Sequence, residues 1–224
     1  MARSVPRSRK GTSTRIGSDG TLPRKRRELL GRAEAELAAA KSGNDVYAVV
    51  VRAVVPLVAE FSMVDAYDDV GVLHRPQMLH ADPYKQHFIK DSQQRYPTSP
   101  RSPVYDVLRT GQAIFIQRVE PELLERIAAD SADLAILRKF GPTSYVSAPL
   151  VHGGRIVGVH TSAMTSSGRS FTEVDFTFAR QLAAAASARL DALDRQVRQS
   201  DVVPSSRRSE VEPRARSRIP KRRP

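Results

Sequence analysis

Two runs of β-favouring residues, separated by a short glycine-rich turn, constrain the fold of this chain more than any other stretch. The runs lie between Thr143 and Met164, and the pair Gly153 and Gly154 stands between them. A Gly-Gly pair supplies the positive φ angles that a two-residue hairpin turn requires. The sequence therefore predicts a β-hairpin around which the rest of the fold is arranged.

The short turn also predicts which residues face each other across the hairpin. With two residues in the loop, Ala148 pairs with Val159 on one face, and Ser147 pairs with His160 on the other. The first face is aliphatic and suited to packing against helices. The second face is mixed and could form the floor of a ligand cavity. We expect four side chains of this second face to contact a ligand: Tyr145, Ser147, His160 and Ser162.

The positive charge of the chain is concentrated at its two ends. The net charge is +12, yet nine of the 36 basic residues lie in residues 1–27 and eight lie in residues 199–224. The stretch between them is almost neutral, as expected for an ordinary globular domain. The ends contain little that could be buried. We therefore expect one domain over residues 24–198, flanked by disordered basic tails over residues 1–23 and 199–224.

The composition excludes several kinds of protein. The chain has no cysteine, which excludes disulfides, thiolate metal sites, cysteine nucleophiles and thioether-linked pigments. No apolar run approaches the roughly 18 residues of a membrane span, and the start is too polar for a secretory signal. An Arg- and Ser-rich start also occurs in organelle transit peptides, but this one has no evident apolar face. We expect a soluble, cytoplasmic protein that does not bind membranes.

Apolar spacing predicts the other elements of the domain. Apolar residues recur at helical spacing before the first strands and again in the last segment, and prolines and glycines separate the elements. Pro76 interrupts the second strand, which predicts an edge strand or a bulge there. The expected order is two helices ending near 41 and 57, strands over 61–67 and 72–79, a helix from 83 to about 95, a short helix ending at 110, a strand over 113–116, helices over 121–129 and 131–140, the hairpin, and a long helix over 172–198.

This order of elements, together with several short strings, resembles a GAF domain. In the hairpin, the pattern Ser-x4-Pro-Leu-x3-Gly-x3-Gly is matched by Ser144, Pro149, Leu150, Gly154 and Gly158. Shorter matches lie upstream at residues 81–83 and 108–111, and the resemblance spans about residues 28–198. It implies an α+β fold with an antiparallel sheet, terminal helices packed on one face and a potential ligand cavity on the other. GAF modules of bacterial signalling proteins are particularly similar.

The chain departs from several branches of that family. The bilin-binding branch and the methionine-sulfoxide reductase branch work through cysteines, which this chain lacks. Nothing matches the Asn-Lys-Phe-Asp-Glu motif of the cyclic-nucleotide branch. Only about 26 residues follow the domain, too few for a kinase, phosphatase or cyclase module. We therefore expect the chain to act in trans, on another molecule.

The scattered polar residues favour binding over catalysis. Carboxylates occur without a nearby base, and no glycine-rich phosphate loop opens a helix. We therefore expect no enzymatic activity and no cofactor. The histidines lack the spacing of a designed metal site, so we expect no bound metal. They are His74, His80, His87, His152 and His160.

A second group of candidate ligand contacts lies on the helix after Pro83. Tyr84, His87 and Phe88 fall on one side of this helix and could form the roof of the cavity. For these residues, and for His160, ordinary packing or a satisfied histidine is the alternative. The sequence thus predicts a sensory or regulatory module that binds a small molecule or a protein partner.

The terminal segments predict two kinds of partner. The apolar stripe of the last helix continues beyond the length that the sheet can cover, which indicates a parallel homodimer through the terminal helices. The alternative function is nucleic-acid binding through the basic ends, although these ends have no aromatic residue for base stacking and could merely be solubilising. The candidate residues are Arg24, Lys25, Arg26, Arg27, Lys221, Arg222 and Arg223.

Overall fold

The computed structural model describes residues 22–93 and 95–201. These residues form a five-stranded sheet with helices on both faces. The strands are β1 (Phe61–Tyr67), β2 (Leu73–His80), β3 (Ile114–Ile116), β4 (Ser144–His152) and β5 (Arg155–Met164). The helices are α1 (Arg24–Ala39), α2 (Gly43–Val54), α3 (Pro83–Gln93), α4 (Pro103–Thr110), α5 (Pro121–Ile127), α6 (Ser131–Phe140) and α7 (Glu173–Asp201).

The strands lie in the order β2-β1-β5-β4-β3, and each neighbouring pair is antiparallel. The predicted α+β fold with an antiparallel sheet is therefore confirmed. β2 is an edge strand, and its pairing with β1 shifts between Val64 and Ala66, opposite the stretch that contains Pro76. A proline has no N–H to donate to a neighbouring strand, so an edge position beside a bulge accommodates it.

One face of the sheet packs against α1, α2 and α7. Val50 of α2 and Leu182 of α7 have no exposed surface, and they belong to the same apolar cluster as Val64 and Leu150 of the sheet. Complete burial of such a side chain stabilises a fold by roughly 1.5–3 kcal/mol. This face therefore holds the main core, as the sequence resemblance implied.

The pair of residues at the start of α7 forms the predicted capping box. Oδ2 of Asp175 accepts hydrogen bonds from the backbone N–H and the hydroxyl of Thr172, at 3.0 and 2.8 Å. The backbone N–H of Asp175 donates in return to Oγ1 of Thr172, at 3.4 Å. Oδ1 of Asp175 accepts from Nη2 of Arg26 at 2.7 Å, so the same carboxylate also connects α1 to α7.

The far end of the hairpin is hydrogen-bonded to the middle of α7. The backbone N–H of Val151 donates to Oγ of Ser187 at 2.8 Å. Oδ1 of Asp191 accepts from the backbone N–H of Gly153 at 2.8 Å and lies 2.9 Å from Nδ1 of His152. These two contacts, led by the Gly153 hydrogen bond, lower the pKa of Asp191. The turn and the helix are thus joined at three points.

The register of the hairpin differs from the prediction. Next to the turn, Val151 pairs with Ile156 as expected. Beyond it, Val157 is an extra residue in β5 and the pairing shifts by one, so that His160 lies opposite Ala148 instead of Ser147. The predicted register is therefore wrong for most of the hairpin. A bulge places two residues opposite one and exchanges the two faces of the bulged strand.

Gly158 follows the bulge, at a point where β5 and β1 approach each other closely. A Cβ atom at this position would lie 2.6 Å from the backbone oxygen of Asp65 and 3.1 Å from Cα of Ala66. Real Cβ atoms do not approach backbone atoms so closely. Any other residue at position 158 would therefore push β1 away from β5.

The ends of the domain extend beyond the predicted limits. Leu22, which was assigned to the disordered N-terminal tail, is 4% exposed and packs into the main core. At the other end, α7 continues to Asp201, three residues past the predicted end of the domain. The parts of the predicted tails at residues 1–21 and 202–224 lie outside the described residues. Within the described part of the chain, no helix combines the length and apolarity that a membrane span requires.

Glu60 is a buried carboxylate that binds the segment following β5. Its Oε2 atom accepts from the hydroxyl of Thr165 at 2.6 Å and from the backbone N–H groups of Thr165 and Ser166 at 2.9 and 2.7 Å. Its Oε1 atom accepts from the backbone N–H of Ser167 at 3.0 Å. Burial by itself would raise the pKa of Glu60, but these hydrogen bonds outweigh it and lower the pKa to about 2.

Protonation of Glu60 is expected to destabilise the fold in acid. Because its folded pKa of about 2 lies below the ordinary 4.5, its contribution is complete above about pH 5 and is lost as the pH falls toward 2. The shift corresponds to about 3 kcal/mol at neutral pH. Denaturant unfolding at pH values from 7 to 3 should show that Glu60→Gln is less stable than wild type at pH 7. Its free energy of unfolding should also fall less than that of wild type as the pH decreases. The exposed variant Glu34→Gln should behave as wild type; equal stability of Glu60→Gln and wild type at pH 7 would contradict the assignment.

Candidate functional site

A cavity of about 180 Å³ lies on the face of the sheet opposite α1, α2 and α7. Its floor is formed by β1, β4 and β5, and it is covered by α3, the α3–α4 connection (residues 95–102), α5 and α6. Most of its surface is apolar. The sheet contributes Phe61, Met63, Tyr145, Thr161 and Ala163, and the helices contribute Ile89, Leu123, Leu124, Ile127, Ile136, Leu137 and Phe140.

Local sequence fixes both ends of α6, one of the helices that cover the cavity. At its start, Oδ1 of Asp130 accepts from the backbone N–H of Asp133 at 2.8 Å, and Oδ2 of Asp133 accepts from the N–H of Ala129 at 2.9 Å. At its end, Gly141 adopts a left-handed conformation with φ of 68°, which glycine does without strain. The helix between these ends directs Ile136 at the cavity.

Three hydroxyl groups lie together where the floor of the cavity is formed by β4 and β5. Oγ of Ser147 and Oγ1 of Thr161 are 2.6 Å apart, so one of these hydroxyls donates a hydrogen bond to the other. The hydroxyl of Tyr145 is buried beside them, yet no atom of the described residues completes a hydrogen bond with it. Burial raises the pKa of Tyr145 to about 12, and the neighbouring hydroxyls of Ser147 and Thr161 lower it only in part. Tyr145 is therefore a neutral phenol whose hydroxyl lies beside two others without completing a hydrogen bond to either.

An ion pair lies at one end of the cavity and connects the sheet to the α3–α4 connection. The carboxylate of Asp65, which has no exposed surface, lies 2.9 Å from Nε and 3.2 Å from Nη2 of Arg75. The hydroxyl of Thr98 donates to Asp65 at 3.1 Å and accepts from Arg75 at 2.9 Å. Because the two charges are paired at hydrogen-bond distance, Arg75 lines the cavity without leaving a net charge there.

Two of the predicted cavity residues, His160 and Ser162, lie on the opposite face of the sheet, under the helices. Nε2 of His160 lies 2.9 Å from Oγ of Ser62 and 3.2 Å from Oγ of Ser162. Its Nδ1 atom is buried without a hydrogen-bond partner among the described residues. Burial lowers the pKa of His160 to about 4, so the ring is neutral at physiological pH. The exchange of faces at Val157 is the reason for this placement.

A neutral buried histidine should make the fold sensitive to mild acid. Because the folded pKa of about 4 lies below the ordinary 6.5, the unfolded chain binds the proton first, and stability falls as the pH drops from 6.5 to 4. Between pH 7 and pH 5 the loss should reach about 2 kcal/mol. Denaturant unfolding at both pH values should show this loss in wild type and in the control His87→Gln, which replaces an exposed histidine. His160→Gln should lose about 2 kcal/mol less over this range, although His80, whose pKa is also lowered by burial, still contributes; an equal loss in all three proteins would refute the placement.

The residues predicted for the roof of the cavity do not line it. Tyr84 is 69% exposed, and His87 is also exposed. Phe88 packs against the cluster that contains Phe61, and Nζ of Lys139 lies 4.4 Å from the centre of the Phe88 ring. The adjacent side of α3 supplies Ile89 and Ser92 to the cavity instead. Sequence reasoning placed the correct helix over the cavity but with the wrong face turned inward.

The basic candidates separate into paired and exposed side chains. Arg26 is bound to Asp175, and Arg24 lies 3.7 Å from Glu28 on the exposed side of α1. Lys25 and Arg27 are exposed. The remaining candidates, Lys221, Arg222 and Arg223, lie outside the described residues. Nucleic-acid binding through the ends therefore stays a prediction, and Arg26 already has a structural partner.

Metal ligands do not come together in the described part of the chain, where no three His, Asp or Glu side chains lie close enough to share an ion. Among the described residues that line the cavity, the charged ones are Arg75 and Asp133. Asp133 is occupied at the start of α6, and Arg75 is occupied by Asp65. The cavity therefore offers apolar surface and hydrogen-bonding groups, and both charged side chains that line it are paired.

Comparison with protein families identifies residues 40–191 as a match to the model of the GAF domain. This match covers the sheet, the cavity and most of α7. A comparison with curated proteins found no match.

Solved structures with the same fold come from several signalling and metabolic proteins. The GAF domain of an Acinetobacter phosphoenolpyruvate-protein phosphotransferase is 11% identical, with a TM-score of 0.56 over 78% of this chain and 97% of that domain. A fragment of a methyl-accepting chemotaxis protein is 16% identical, with a TM-score of 0.56 over 73% and 98%. Free methionine-R-sulfoxide reductase from Neisseria meningitidis, solved with its substrate, is 17% identical, with a TM-score of 0.51 over 77% and 91%. At these identities the likeness concerns the fold.

Proposed function

The chain belongs to the GAF domain family, and on this basis we propose that it is a non-catalytic sensory module that binds a small molecule in the cavity and acts on a partner in trans. The observation that carries the proposal is the cavity itself, which Tyr145 lines; the hydroxyl of this tyrosine is buried and has no hydrogen-bond partner among the described residues. A buried polar group without a partner costs about 1–3 kcal/mol, so a ligand that satisfied it would gain affinity. Similarity of fold to a fragment of a methyl-accepting chemotaxis protein supports a signalling role.

The hairpin provides a route from the cavity to the terminal helices. In β5, Thr161 faces the cavity, while its neighbours His160 and Ser162 pack beneath the helices. The turn of the same hairpin is hydrogen-bonded to α7 through Ser187 and Asp191. A ligand that displaced the floor of the cavity would therefore act directly on α7.

A bulky side chain in the cavity should abolish ligand binding. Ile136→Trp adds an indole to the wall of α6 that faces the cavity, whereas Ala135→Trp places the same group on the exposed side of that helix. We expect a small molecule to accompany wild type and Ala135→Trp when they are purified from the native cells. It should be absent from Ile136→Trp. Native mass spectrometry, followed by extraction of the bound molecule, measures this.

The outcomes of that experiment are distinct. Circular dichroism and thermal unfolding should show all three proteins folded, since the cavity gives the added indole space that a packed core would not. A molecule retained by Ile136→Trp would place ligand binding elsewhere. If wild type carries no molecule and shows no change on incubation with an extract of small metabolites, the proposed function is wrong.

The output surface that we propose is the exposed part of α7. The apolar stripe of this helix includes Leu190, Leu193 and Val197, which are spaced for one face. Leu190 is only 8% exposed and packs within its own domain, whereas Val197 is 60% exposed and has no apolar neighbour to cover it among the described residues. A second copy of α7 would cover Val197 in a parallel homodimer.

Val197→Asp should therefore shift the protein from dimer to monomer without unfolding it. Burial of a valine stabilises an interface by roughly 1.5–3 kcal/mol per side chain, and a buried unpaired carboxylate costs more. Gln199→Asp introduces the same charge on the other side of α7 and should leave the dimer intact. Sedimentation velocity at micromolar concentration measures the change. A monomeric wild-type protein would exclude this mode of assembly, and thermal unfolding of Val197→Asp should match wild type at a concentration where both are monomeric.

A further inference from the structure

We infer that the cavity takes a neutral, mainly apolar molecule about the size of one substituted aromatic ring, with a hydrogen-bond acceptor that meets the hydroxyl of Tyr145. This inference rests on the proposed function and specifies the chemical class of the ligand. Three features of the site support it: its size, its balance of charge and its unsatisfied hydroxyl.

The volume of the cavity limits the ligand to a small molecule. A cavity of about 150 Å³ with apolar walls is sufficient to bind benzene, whereas sites for drug-sized ligands commonly occupy roughly 300–1,000 Å³. At about 180 Å³, this cavity holds a single ring with a short substituent. A nucleotide or a tetrapyrrole would require displacement of the surrounding helices.

The charges around the cavity exclude a strong preference for an ion. Asp65 engages Arg75 at two positions, and Thr98 completes that group. Asp133 accepts a backbone hydrogen bond at the positively polarised start of α6. An anionic or cationic ligand would therefore lose its hydration without gaining an unpaired opposite charge. A neutral ligand avoids this cost.

The hydroxyl of Tyr145 determines the polar part of the ligand. The hydroxyl of Tyr145 completes no hydrogen bond among the described residues, although the hydroxyls of Ser147 and Thr161, 2.6 Å apart, lie beside it. The walls beyond these hydroxyls are apolar, with Phe61, Ala163 and Ile136 among them. A carbonyl oxygen on an aromatic or short aliphatic skeleton would satisfy the phenol and fill the remaining space.

Four probes with the same number of non-hydrogen atoms test this chemistry. Acetophenone carries a neutral acceptor, α-methylstyrene replaces that oxygen by a methylene group, benzoate is an anion and benzamidinium is a cation. Isothermal titration of the full chain, after removal of any co-purified molecule, should show acetophenone binding about tenfold more tightly than α-methylstyrene, as expected for one hydrogen bond made in a buried site. Neither ion should bind at concentrations that saturate the protein with acetophenone.

Two variants assign the binding to the cavity and the preference to the tyrosine. Tyr145→Phe should lose the preference and bind α-methylstyrene at least as tightly as acetophenone, since the ketone oxygen would then be buried without a partner. Tyr84→Phe, which removes an exposed hydroxyl outside the cavity, should retain the tenfold preference. Ile136→Trp should bind neither neutral probe, because its indole occupies their space.

Each other outcome overturns the inference in a recognisable way. Tighter binding of benzoate or benzamidinium than of acetophenone would show that the site prefers a charged ligand. An unchanged preference in Tyr145→Phe would show that the hydroxyl does not select the ligand. If no probe binds, the inferred class is wrong; the proposed function would then depend only on whether a natural molecule co-purifies with wild type and is lost in Ile136→Trp.

Discussion

One extra residue in β5, Val157, determines which side chains of the central hairpin reach the cavity and which reach the helices. Side chains alternate along a strand, so the bulge exchanges the two faces of everything after it. Thr161 is thereby placed on the cavity floor, and His160 is placed in the core under the helices. Without the bulge, the imidazole of His160 would face the cavity, and the hydroxyl of Thr161 would not lie beside those of Ser147 and Tyr145.

Two buried carboxylates hold opposite ends of β1 in position for this arrangement. Glu60, just before the strand, binds the backbone that leaves β5, and Asp65, near its end, binds Arg75 and Thr98. Burial of either carboxylate alone would be costly, but each receives several hydrogen bonds. Glu60 thus fixes the segment after β5 on one side of β1, and Asp65 fixes β2 and the α3–α4 connection on the other.

Local sequence signals predicted the fold well because they act over short distances. The glycine turn, the capping box at Thr172 and Asp175, and the edge position of the strand with Pro76 each depend on residues close in the chain. The ligand site was harder, since its lining depends on long-range register and on the rotation of α3. Gly158 was the available signal for the bulge, because a glycine inside a strand often marks a bulge or a close backbone approach. Nothing local indicated that Ile89, and not Tyr84, faces inward; α3 is largely polar, and its orientation is set by contacts with the sheet and α6.

The hydrogen bonds between the hairpin turn and α7 mean that these two elements, which are distant in the chain, would move together. Ser187 and Asp191 are the points at which the helix is attached to the turn. From Asp191 to its end at Asp201, α7 runs for about 15 Å at the rise of an α-helix. If the hairpin tilted, residues of α7 beyond Asp191 would therefore be displaced more the farther they lie from Asp191. The displacement of Val197 would grow with both the angle of the tilt and the distance of Val197 from Asp191 along the helix.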